Sequence, residues 1–293
     1  MSAFGVARGV RAESDSGNNK VRIAFVGDSI SDGYWEGVSV TAARDPCLKA
    51  LTEFGRFAKN STGLTRPDRF DWAAELKRVG ESFKPRLFVM SLGLNDRQSV
   101  VEHGQITMDD SPLYDDKYKE RITAVLKNAA AAKAGLLWIG LPALRVPSSD
   151  KDAREKNRLF EEAITAFGAP DIQYIPPWKL NQTGVDTFSS YGPDANGRMV
   201  QLRTPDGEHF TVAGEMLAAA YLLPRIVASV AHEGVSACTR SEARSQDLQP
   251  KDQQLNEPQP TDQQLKDQQL REPKDQEPQG RSQGQSQDEA QSQ

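Results

Sequence analysis

Three short stretches of the chain carry the residue types that acyl transfer needs. Gly27-Asp28-Ser29 follows an apolar run. A serine on the turn from a strand into a helix exposes its hydroxyl and aims its own N–H at the cleft. The helix N-terminus there favours developing negative charge. Alone, Ser29 reads equally well as a helix cap. Gly93-Leu94-Asn95-Asp96 follows a second apolar run. The Asn95 amide can donate to an oxyanion, although Gly, Asn and Asp are also ordinary turn residues. Asp206-Gly207-Glu208-His209 sets a carboxylate three residues before an imidazole. Such a carboxylate can fix the imidazole tautomer and support its positive form. Of the three histidines, His103, His209 and His232, only His209 has a carboxylate at this spacing. Thr211, just beyond, reads as the N-cap of a final helix.

These residues need elements that hold them together. Val21–Val26, Arg86–Leu92, Leu136–Gly140 and Ile172–Ile175 are short apolar runs, three of them ending at or beside glycine. They read as buried strands. Arg56–Asn60 is a weaker candidate. Helical patterns fall between, clearest from Asp116 to Lys133, with others near 71–80, 152–167 and 212–230. Strands alternating with helices predict an α/β fold with a mostly parallel sheet covered on both faces. In such sheets, sites form beyond the carboxyl ends of the strands. Each of the two strand-end motifs above lies there.

Composition bounds the rest. The chain has 293 residues and a formal net charge of −5. That charge gives no basic field for nucleic acid or an anionic membrane. The two cysteines, Cys47 and Cys238, form no CxxC or Cys/His ligand cluster. They are expected as a buried apolar residue and a free thiol. No metal site is expected. No run of 18 or more apolar residues suggests a membrane span. Residues 1–19 are expected as a flexible N-terminal segment without a clear secretion signal. From Thr239 to Gln293 the chain is rich in Gln, Asp, Glu and Pro, has no aromatic residue, and repeats Asp-Gln-Gln-Leu from Asp252, Asp262 and Asp267. Such a segment cannot offset its ordering entropy by burial. A disordered tail over 235–293, of unknown partner, and a folded domain over 20–234 are therefore expected.

Taken together and in this order, the motifs resemble the SGNH/GDSL serine hydrolase superfamily. Gly27-Asp28-Ser29 looks like its first block, Asn60-Ser61-Thr62-Gly63 like its second, Gly93-Leu94-Asn95-Asp96 like its third, and Asp206-x-x-His209 like its last. The words Asp32-Gly33-Tyr34-Trp35, Ser61-Thr62-Gly63-Leu64-Thr65-Arg66-Pro67 and Asn95-Asp96-Arg97-Gln98 resemble a bacterial branch associated with the cell envelope.

The resemblance implies a flavodoxin-like three-layer sandwich with about five parallel strands. It implies ester cleavage with neither metal nor organic cofactor. Ser29 would be the nucleophile, His209 its base and Asp206 the orienting acid. The N–H groups of Ser29 and Gly63 and the Asn95 amide would form the oxyanion hole. Asp28 is expected to be structural. Trp35 and Trp72 are candidates for lining an acyl or sugar pocket, with core packing as the plainer reading. Arg97 is a candidate for an anionic substrate group, or for an ion pair. The loop Tyr191–Arg198 is a candidate for shaping specificity. The expected substrate is a small ester or an O-acetylated glycan, in a periplasmic or other extracytoplasmic setting; the missing signal leaves the cytoplasm open. An O-acyltransferase with the same triad and a non-catalytic envelope scaffold are the competing readings.

Overall fold

The computed structural model describes residues 20–177 and 187–231, with Val235 and Cys238. Segment 1–19 and, apart from Val235 and Cys238, the expected tail over 235–293 lie outside the described residues.

The apolar runs become the central sheet. β1 (Val21–Gly27), β2 (Thr52–Ala58), β3 (Leu87–Ser91), β6 (Gly135–Ile139) and β7 (Ile172–Ile175) form five strands in the order β2-β1-β3-β6-β7. Every pairing is parallel. All five residues of β3 are buried, as is all of β1 except Arg22. Continuous apolar strands of this kind demand cover on both faces. α1 (Ser29–Ala43) and α6 (Val212–Ser229) supply one cover, packing on each other and on β1 and β3. α3 (Trp72–Ser82), α4 (Tyr114–Ala131) and α5 (Pro147–Phe167) pack in series against the sheet and supply the other. This is the α/β three-layer sandwich that the motif pattern implied.

The strand order has one functional consequence. The chain leaves β1 for β2 on one side and then returns to β3 on the other. The carboxyl ends of β1 and β3 therefore flank the crevice at the topological switch point, where such sheets bind ligands.

Details depart from the sequence reading. The weakest strand, expected over 56–60, runs from Thr52 and opens directly from α2 (Pro46–Leu51). Asp45 caps α2, its carboxylate accepting from the N–H groups of Cys47 and Leu48. The two polar loops contain antiparallel ribbons: β4 (Val100–Glu102) with β5 (Gln105–Thr107), and β8 (Tyr191–Pro193) with β9 (Met199–Gln201). Such three-residue ribbons are too short to show period-two alternation. α6 is long and apolar enough to cross a membrane by length and composition, which no run of 18 apolar residues had signalled. In the fold, Leu217, Ala218, Ala219, Leu222, Ile226 and Val227 of this helix are buried.

The cysteine expectation is corrected. Cys47 and Cys238 form a disulfide with Cα atoms 5.5 Å apart, across a sequence separation of 191. The two positions are too far apart in sequence for spacing to reveal their contact. Cys238 and Val235 are both fully buried in the core. The folded part therefore extends past the expected boundary at 234.

Closing so long a loop restrains the unfolded chain and typically adds about 2–4 kcal/mol. Cys47→Ala should lower the melting temperature by several degrees. A chain cut after residue 234 should lose as much or more. Differential scanning calorimetry without reductant checks both, and reductant should destabilise only the wild type.

Candidate active site

The position of Ser29, the candidate nucleophile, is built by the turn after β1. Gly27 has φ +135°, and a Cβ there would lie 1.9 Å from the Ser91 carbonyl oxygen. Only glycine allows the strand to bend this close to β3. Asp28 is the N-cap of α1 and accepts from the Ile30 N–H at 3.0 Å. Its other oxygen accepts from the N–H groups of Gly93 and Leu94, each at 3.2 Å. Asp28 thus ties the end of β1 to the third motif, in line with its expected structural role. Ser29 opens α1 with its side chain at the helix N-terminus.

The structure brings the first and last motifs together. His209 Nε2 lies 2.7 Å from Ser29 Oγ, across 180 residues of sequence. His209 Nδ1 lies 2.8 Å from Asp206 Oδ2. Asp206 also accepts from the Thr204 hydroxyl and from the N–H groups of Glu208 and His209, at 2.7, 2.7 and 3.0 Å. Partial burial raises its pKa, but these hydrogen bonds, with that from the imidazole, outweigh it and hold the carboxyl well below the usual range. Asp206 is therefore ionised at neutral pH.

A second cluster faces the same crevice. The Asn95 amide donates to the Thr62 carbonyl at 3.0 Å, leaving its other N–H available. Among the described residues, the N–H groups of Ser29 and Gly63 have no partner. The Gly63 segment is held by Asp96, a residue to which sequence alone assigned no role. The buried Asp96 carboxylate accepts from Leu64 N–H at 2.8 Å, Thr65 N–H at 3.0 Å, the Thr65 hydroxyl at 2.7 Å and the Tyr118 hydroxyl at 2.8 Å. A Cβ on Gly63 would sit 1.9 Å from this carboxylate, so the position must be glycine. Burial, and then Asp96, push the Tyr118 hydroxyl far above its ordinary pKa and keep it a donor. The usable signal was the Asp that directly follows Asn95. Its partners lie about thirty residues upstream, which hides them from any local reading.

Other candidates go elsewhere. Trp35 is corrected as a substrate-binding residue. Its indole N–H donates to Phe54 O at 3.1 Å, and its ring faces the Arg56 guanidinium at 4.9 Å. Phe54 pairs with Ile23, four residues before the end of β1. At strand rise that is about 13 Å below the crevice. Trp72 is fully buried and donates to the Thr62 hydroxyl at 3.1 Å, supporting the Gly63 segment from below. Arg97 pairs with Glu208 at 3.1 Å and donates to Ser149 Oγ, bridging the third motif, the His209 loop and α5. The structure thus has Arg97 in the ion-pair alternative. The Tyr191–Arg198 segment is the β8–β9 ribbon, with Asp194 accepting from the N–H groups of Asn196 and Arg198. Among the described residues, no three His, Cys, Asp or Glu side chains form a metal-holding group.

Residues 22–225 match the model of a family described as Protein of unknown function (DUF459). The chain belongs to that family. Its fold is that of the SGNH hydrolases. An acetyl xylan esterase superposes with TM-score 0.50 at 18% identity, covering 70% of this chain and 100% of the other. A catalytic mutant of an acetylxylan esterase from Geobacillus stearothermophilus gives 0.48 at 16% identity, covering 70% and 93%. A GDSL-like lipase from Bacteroides thetaiotaomicron gives 0.45 at 17% identity, covering 70% and 87%. No curated protein matches in sequence.

Two carboxyls predict a pH signature. Burial raises Asp28 from 3.8 to about 7, helped by the charge of Asp96 and opposed by its backbone donors. Burial, then Glu36 and Asp32, raise Glu215 to about 7. Between about pH 5 and 7 the native state keeps protons that the unfolded chain has lost, so stability falls as pH rises. Urea unfolding should show this downward slope. It should be shallower in Glu215→Gln, which leaves the crevice intact.

Proposed function

We propose that the chain is a serine esterase that removes short acyl groups, acetyl above longer chains, from hydroxyls of glycans. The observation that carries this reading is the continuous contact Ser29–His209–Asp206, at 2.7 and 2.8 Å. The N–H groups of Ser29 and Gly63 and the Asn95 amide are the candidate oxyanion donors.

The mechanism follows from that geometry. His209 Nε2 takes the hydroxyl proton as Ser29 Oγ attacks the acyl carbonyl. Asp206, already ionised, stabilises the imidazolium and holds Nδ1–H. The carbonyl oxygen gains charge and meets the N–H groups of Ser29 and Gly63 and the free N–H of Asn95. One such donor is worth ~2.7–4 kcal/mol in the transition state. The imidazolium then protonates the departing alcohol oxygen, leaving acyl-Ser29. Water, deprotonated by His209, attacks the acyl carbon and releases the acid.

Support for a glycan comes from the surroundings. A cleft of about 610 Å³ is lined by Arg97, Gln98, Asp109, Tyr114, Ser149 and Asp152 among others; none of Ser29, Asp206 and His209 lines it, and Arg97 joins it to the His209 loop through Glu208. Its polar walls suit a hydrated sugar better than a long acyl chain. The structure at TM-score 0.50 is named an acetyl xylan esterase. An extracytoplasmic setting is part of the same proposal, and the Cys47–Cys238 disulfide supports it.

Ser29→Ala should reduce hydrolysis of p-nitrophenyl acetate by about 10³-fold or more while leaving the melting temperature unchanged. Residual activity above about a tenth of wild type removes Ser29 from the role of nucleophile.

A chain-length series of p-nitrophenyl esters should give the highest kcat/KM at acetyl. Asn95→Ala should lower kcat by about 10²-fold with little change in KM, because its donor acts on the oxyanion. An optimum at octanoyl overturns the short-acyl preference.

A further inference from the structure

Arg203 is a buried charge that the reaction scheme does not use. It is 3% exposed. Among the described residues no carboxylate pairs with it. Its guanidinium lies between the rings of Phe188 and Phe210, at 5.2 and 4.5 Å from their centroids. Burial brings its pKa down to about 10, so it stays charged at neutral pH. A desolvated cation requires compensation from fixed groups. Here backbone carbonyls provide it. Arg203 donates to Ala143 O at 2.9 Å, Glu208 O at 2.7 Å, His209 O at 3.2 Å and Gly207 O at 3.5 Å.

Three of these carbonyls are consecutive and belong to the loop that carries the triad acid and base. The peptide unit between Gly207 and Glu208 gives its C=O to Arg203 and its N–H to Asp206 Oδ1. The next unit, between Glu208 and His209, does the same. Both peptide planes are strung between one fixed cation and the triad carboxylate. The Ala143 bond anchors that cation to the loop after β6. Gly207 O also accepts from the Arg145 N–H at 3.2 Å and His209 O from the Thr204 N–H at 2.9 Å, while among the described residues Glu208 O has Arg203 as its sole donor.

We propose that Arg203 is a positioning residue of the active site: it fixes the two peptide planes that set Asp206 and His209 at working distance from Ser29. This rests on the esterase reading above. The planar fork is essential, because it reaches several carbonyls at once in fixed directions. A lysine ammonium brings the charge without that geometry.

The test uses the full chain and p-nitrophenyl acetate, with each variant assayed well below its own melting temperature. Arg203→Met should lose on the order of 10²-fold in kcat, the scale expected for misplacement of about 1 Å, with KM within about threefold. Labelling of Ser29 by a fluorophosphonate should slow in parallel. Arg203→Lys should stay at least about tenfold below wild type. Millimolar guanidinium should restore part of the kcat of Arg203→Ala. Arg203→Met or Arg203→Lys with kcat within about threefold of wild type overturns the proposal. So does a loss confined to KM. If Arg203→Met does not fold, Arg203→Lys decides, since it keeps the buried charge. Failure of the wild type itself to hydrolyse the ester and to label at Ser29 is a different result. It overturns the esterase reading beneath this one.

Discussion

The crevice depends on one buried carboxylate. Asp28 receives N–H groups from its own helix and from the chain leaving β3. β1 and β3 are paired neighbours as far as Gly27 and Ser91, and the Asp28 N–H donates to Ser91 O at 3.1 Å, so the chains part only beyond that point. Past that point the Asp28 side chain continues the link by accepting main-chain donors. Asp96 repeats the device one layer out, gathering the Gly63–Thr65 backbone to the same region. Two aspartates, each wrapped by donors, thus hold three loops at one level.

The last loop is held by different means. Its N–H groups turn towards Asp206 and its carbonyls towards Arg203. The site is therefore assembled from backbone dipoles locked by side-chain charge. This explains how loops, rather than helices or strands, can hold a 2.7 Å contact between residues 180 apart.

Much of the architecture was legible in the sequence because strands buried on both faces are written as unbroken apolar runs. Val21–Val26, the Leu87–Leu92 stretch and Leu136–Ile139 are of this kind. β2 was less visible because its middle, half-buried Gly55 beside exposed Arg56, lies at the sheet edge. Ser29, Asn95, Asp206 and His209 were readable as candidates from residue type and place beyond strands. Gly63 was reached only through resemblance, since its need for glycine arises from a carboxylate 33 residues away. Trp35 takes the plainer of its two readings: an aromatic six residues after the candidate nucleophile is close in sequence, but almost two helical turns carry it down the sheet. Asp96, Arg203 and the Cys47–Cys238 pair were missed because long-range packing alone defines them.

The disulfide has a consequence for the integrity of the chain. It bonds position 47 to position 238. Gly63, Asn95, Asp206 and His209 all lie within that covalent ring, while Ser29 lies outside it, on the N-terminal side. A protease that cuts once anywhere inside the ring releases no fragment. The segment bearing Ser29 remains joined through sulfur to the segment bearing His209. In surroundings rich in proteases, a nicked molecule would keep Ser29 and His209 in one covalent assembly, and only reduction followed by unfolding would part them.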